Sequence, residues 1–172
     1  MIRMDIHLTG SAAVLLKPNK REMAKCMREM WRELGIYWHR KMRPKHFTNP
    51  GAREYGYTPR QGERGRPHPK GKFYRTYTGR KLRQRGHTRP LVLTGESRAL
   101  TRMRIVRADS KGVRIPIKAN KLNYRYRGSP IHMRDEMTRI SMRERQQLIR
   151  RGERYLAAAV MRSKARVSKR VA

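Results

Sequence analysis

Residues 20–42, KREMAKCMREMWRELGIYWHRKM, decide how the fold is read. Met23, Met27, Met30, Trp31, Leu34 and Trp38 recur at spacings of three and four, which gathers them on one stripe of a long helix. Asn19 can cap its start by accepting from the free first-turn amides, and Pro44 ends it. The stripe is read as a core or subunit contact, with methionine thioethers fitting an irregular surface. Ahead of it, Ile2, Met4, Ile6 and Leu8 alternate with polar residues, predicting a short half-buried strand. Gly10 and Ser11 break that strand.

The next stretch is different in kind. Residues 43–90 hold 7 of the 13 glycines, 6 of the 9 prolines and 14 Lys/Arg, against two acids, Glu54 and Glu63. Ala52 and Leu82 are its only aliphatic side chains, too few to build a core. Phe47, Tyr55, Tyr57, Phe73, Tyr74 and Tyr77 are spaced among the basic residues. The expectation is an extended basic arm, inserted in the domain and ordered only against a partner.

Patterned sequence returns at Pro90. Leu91, Val92 and Leu93 lead into Thr94-Gly95-Glu96-Ser97, then Met103, Ile105 and Val106. Asp109-Ser110-Lys111-Gly112 reads as a hairpin turn. Val113, Ile115 and Ile117 alternate on the return strand, and Leu122, Tyr124 and Tyr126 on a third. A last helix is predicted over about 142–163. Ser141 and Glu144 stand in capping-box spacing at its start. Leu148, Ile149, Tyr155, Leu156, Ala159 and Val160 form its apolar stripe. The fold class is therefore α+β: a small antiparallel sheet packed against a long N-terminal helix and a C-terminal helix. Its parts are strand and helix (1–42), basic arm (43–90), meander and helix completing one domain (91–163), and basic tail (164–172).

The 172 residues carry 45 Lys+Arg and 12 Asp+Glu, a formal charge of +33. Such a body repels itself and favours an anionic partner, either nucleic acid or acidic protein. Arginine forks suit phosphate and carboxylate alike, so charge leaves the two open. The arm residues offered for this contact are Arg60, Arg64, Arg66, Lys70, Lys72, Arg75, Arg80, Lys81, Arg83, Arg85 and Arg89. A solvated cationic loop would have the same composition. No run approaches the roughly 20 apolar residues of a membrane-spanning helix, and no membrane partner is expected. The single cysteine, Cys26, excludes an intramolecular disulfide and a cysteine zinc cage.

Catalytic constellations fail. The six histidines show no HExxH pattern, and there is neither a P-loop nor GxGxxG. Gly35-Ile36-Tyr37 resembles the opening of a nuclease signature but sits inside the helical stripe. Asp135 and Glu136 read as acids placed near a helix N-terminus. No catalytic residue, cofactor or metal is assigned, and the chain reads as a non-enzyme.

The order of its short motifs resembles the small neck and tail-joining proteins of tailed bacteriophages. The motifs are a first helix ending in an aromatic, Pro44-x-His46-Phe47, Tyr55-Gly56-Tyr57 with Arg60, and Pro90-Leu91-Val92-Leu93-Thr94-Gly95. Ser97-x-x-Leu100, Tyr124-Arg125-Tyr126-x-Gly128, Arg139-Ile140-Ser141 and Tyr155-Leu156 follow. The resemblance spans about residues 25–160. It implies a structural virion protein, assembled in the host cytoplasm as a cyclic homo-oligomeric ring of the neck or tail. Portal, neck or tail proteins, acidic in character, would be its neighbours, with nonspecific contact to DNA in the channel. The other reading is a ribosomal-type RNA-binding protein whose basic arm orders on rRNA.

Overall fold

The computed structural model describes residues 2–4, 20–60, 62–63, 73–92, 96–101, 106–117, 120–123 and 130–171. In chain order these form β1 (Ile2–Met4), α1 (Lys20–Tyr37), α2 (Asn49–Glu54), α3 (Tyr77–Arg85), α4 (Glu96–Leu100), β2 (Arg107–Ala108), β3 (Val113–Ile115), α5 (Met133–Thr138) and α6 (Met142–Val171). The protein is thus mostly helical, with long N- and C-terminal helices and one small antiparallel sheet. The chain divides into two compact units, one of residues 1–42, 104–117 and 140–172, the other of residues 43–103 and 118–139.

The first unit rests on α1. Cys26, Met30, Trp31 and Leu34 are buried along it, and Trp38 and Met42 are buried in the π turn (Trp38–Met42) that continues it. The expected stripe is present in this helix, with Met23 and Met27 only half-buried at its N-terminal end. Helix α6 packs along α1. It presents Leu148, Gly152, Leu156 and Ala159 at helical spacing, all buried. Ser141 Oγ accepts from the Glu144 amide at 3.1 Å, the serine side of the expected capping box. The helix runs on to Val171 where a basic tail was expected. Its last turns contain no glycine or proline to stop it, and arginine and lysine are good helix formers.

The sheet lies against the same helix. Its order is β1-β3-β2, all antiparallel, with Ile2 opposite Ile115 and Ala108 opposite Val113. Val113 and Ile115 are buried and Arg114 between them is exposed, the period-two alternation of a one-sided strand. Close approach explains Gly35, because a Cβ there would stand 2.7 Å from Val106 Cγ1 and 2.8 Å from Val113 Cγ2. The predicted hairpin turn is present. Asp109 Oδ1 accepts from the amides of Lys111 (2.7 Å) and Gly112 (2.9 Å). Those amides hold the Asp109 carboxyl below its usual range, the Lys111 bond being the larger cause.

The second unit overturns two expectations. The described parts of 43–90 are not an extended arm: they form a 3-10 turn (Arg43–Phe47), α2, a second 3-10 turn (Phe73–Arg75) and α3. Aromatic and imidazole rings replace the missing aliphatics. His46, Phe47, Tyr55 and Tyr57 are buried there, with Leu91, Val92, Leu122 and Met137 from later segments. Leu122 itself sits in a 3-10 turn (Asn120–Asn123) instead of the expected third strand. Asn120 and Asn123 flank it, residues that favour turns over strands. Tyr124 and Tyr126, like Ile6, Leu8, Met103 and Ile105, lie outside the described residues.

Candidate anion-binding face and its buried support

Helix α3 is made by its caps. Thr76 Oγ1 accepts from the Gly79 amide at 3.0 Å, and Gly86 closes the helix at φ 66°, its amide donating to the Leu82 carbonyl at 2.8 Å. Gly79 lets the helix start against the preceding turn, since a Cβ there would stand 2.1 Å from the Phe73 carbonyl oxygen. Thr78, Gly79 and Lys81 face inward. Tyr77, Arg80, Arg83 and Gln84 are exposed, and their spacing of three and four places them on one outward row. Tyr74, just before the helix, is 65% exposed.

The expected contact residues separate into three groups. Arg75, Arg80, Arg83, Arg85 and Arg89 are exposed. Arg60 and Lys81 are buried and employed internally. Arg64, Arg66, Lys70 and Lys72 lie outside the described residues. Among the described residues, Arg80, Arg83 and Arg85 have no carboxylate partner. His87, just past the helix, is depressed first by desolvation and then by the charges of Lys81, Arg89 and, last, Arg85.

Lys81 shows why a basic residue in this run can serve the fold instead. Its Nζ donates to the Arg89 carbonyl and lies 5.8 Å from the centre of the Tyr77 ring. Burial, followed by the charge of Arg60, pushes the ammonium down to about 8. The Arg89 bond ties the chain leaving α3 back to the helix body.

Behind this face is a buried polar cluster with no local sequence signal. Arg60 Nη1 and Nη2 reach Glu136 Oε1 and Oε2 at 3.0 and 2.5 Å, a bidentate fork on a carboxylate 1% exposed. Glu136 Oε1 also accepts from the Thr58 amide at 3.0 Å, and Arg60 Nη1 donates to the Thr58 carbonyl at 2.7 Å. Arg139 donates to the Gly56 carbonyl, fixing the turn that joins Tyr55 to Tyr57. His46 stacks on Tyr55 with ring centres 3.8 Å apart, and its Nδ1 lies 2.6 Å from the Tyr57 hydroxyl.

Burial pushes His46 down to about 3, with the charge of Lys45 adding to it and a main-chain bond to Glu136 opposing it. The ring is therefore neutral near pH 7, and Nδ1 accepts from Tyr57. Tyr57 keeps its proton because burial, then the Glu136 charge, raises it. For His46 the unfolded chain takes up the proton near pH 6.5 and the folded chain only near 3. Between those values the unfolded state binds more protons, so stability is lost as pH falls, by up to about 1.4 kcal/mol per pH unit. The advantage of the wild type over His46→Gln in urea unfolding should shrink steadily from pH 6.5 to pH 4. A difference that stays constant would show that the buried ring does not titrate this way.

Of the subunit-or-core set, Met30, Trp31 and Trp38 are buried within the first unit. Among the described residues, no three His, Cys, Asp or Glu side chains could hold a metal ion, and no helix is long and apolar enough to cross a membrane. No protein-family model, no curated protein and no solved structure matches the chain.

Proposed function

We propose that this chain is a structural, non-catalytic virion protein of a tailed phage, forming or joining a ring of the neck or tail around the DNA channel. The motif order in its sequence supports the family. The observation that carries the role is the outward row of Arg80 and Arg83, with Arg85 at its end, on a helix capped at both ends and with no carboxylate partner among the described residues. A ring is built from heterologous contacts that close by rotation. Closing one from subunits of charge +33 multiplies their repulsion. An anionic surface, DNA in the lumen or an acidic neighbouring ring, offsets it. The protein assembles in the host cytoplasm and resides in the virion.

The test is gradient sedimentation of a nuclease-treated lysate of producing cells, with the chain followed by mass spectrometry. Co-migration with DNA-filled or tailed particles is expected. Co-migration with ribosomal subunits, lost on RNase treatment, would overturn the virion role and make the chain an rRNA-binding protein.

A further inference from the structure

We infer that the outward face of α3 is a sequence-independent site for the phosphodiester backbone of nucleic acid, contacted by Arg80, Arg83 and Arg85 with Tyr74 and Tyr77 beside them. This commits the anionic surface to one chemistry and does not rest on the phage assignment.

Three observations favour nucleic acid over an acidic protein. Residues 73–89 contain five arginines, one lysine and no acid. Protein–protein interfaces exclude charge from their centres, whereas nucleic-acid interfaces are polar and strongly positive. The exposed side chains here are arginines, glutamine and tyrosines, with Leu82 the one exposed aliphatic among the described residues of α3. Its geometry also fits a repeating polyanion. From Tyr77 to Gln84 the row is about 10 Å long at 1.5 Å per residue, long enough for its arginine forks to meet more than one phosphate of a strand. Arginine and tyrosine both donate to phosphate oxygens without reading sequence. Tyr74 and Tyr77, 65% and 43% exposed, also offer ring faces to unpaired bases.

The experiment measures fluorescence anisotropy of a 30-bp duplex DNA, an RNA hairpin of equal charge, and a poly-glutamate chain, each titrated with the full-length protein across a salt series. R80Q/R83Q/R85Q should bind both nucleic acids at least tenfold more weakly at about 100 mM salt, and its salt slope on the duplex should fall by about 3. R28Q/R32Q/R150Q removes the same charge from exposed positions on α1 and α6 and should stay within threefold of wild type. R80K/R83K/R85K keeps the charge and should also stay within threefold, which separates a lost site from a misfolded helix. A preference for duplex or for hairpin identifies the source of the backbone, and either supports the site. Equal losses from the two Gln triples would overturn it, as would poly-glutamate binding as tight as the duplex and lost with the same variant. The sedimentation result is separate: a chain that migrates away from particles can still bind DNA through α3.

Discussion

Glu136→Gln should lower the stability of the unit formed by residues 43–103 and 118–139 by about 3–5 kcal/mol. The substitution keeps the shape and the Oε1 acceptor for the Thr58 amide but removes the charge opposite Arg60. Arg60 is itself 8% exposed, so its guanidinium would remain buried without a counter-charge. Desolvation of an isolated ion outweighs almost any other single loss in a small fold. Adding Arg60→Met should recover part of the loss, because a buried pair replaced by apolar groups is often close to neutral. Urea unfolding followed by far-ultraviolet circular dichroism reads both variants. A loss below about 1 kcal/mol for Glu136→Gln, with no recovery in the double variant, would mean that water reaches the pair.

Trp38→Ala should cost about 3–5 kcal/mol in the first unit. The indole is 0% exposed, so its removal leaves a cavity that backbone on the π turn cannot fill by a simple side-chain shift. The chain has two tryptophans, so Trp31 remains as the fluorescence reporter. The measured loss should not depend on protein concentration. If it did, Trp38 would be shielded by a second copy and not by its own chain, since subunit contacts bring mass action into stability.

Helix α1 was legible because its apolar side chains repeat with the helical period, and Asp109-Ser110-Lys111-Gly112 because turn chemistry is local. The Ser141 cap was legible for the same reason. The 43–90 stretch misled because its core uses rings instead of aliphatics. His46 and Tyr57 look polar in composition yet become core once each satisfies the other. Arg60 sits among basic residues of the same composition, and nothing near it in sequence marks a partner 76 positions away. Asp135 and Glu136 do stand in the first turn of α5, as expected of acids at a helix start. The 100° between neighbouring helical residues sends Asp135 to solvent and Glu136 inward, and only the three-dimensional fold says which.

The interleaving of the two units has a consequence for the newly made chain. Residues 1–42 belong with residues 140–172, so α1 leaves the ribosome long before its packing partner α6. About 100 residues separate them, on the order of 5–20 s of synthesis at about 5–20 residues per second. During that interval α1 lacks the helix that finally packs along it. A hydrophobic stripe left open for seconds is a target for chaperones and for other unfinished chains. Early synthesis also carries much of the positive charge, and like-charged chains resist clustering. The basic composition that later draws the finished protein to an anionic partner thus also protects it before α6 exists.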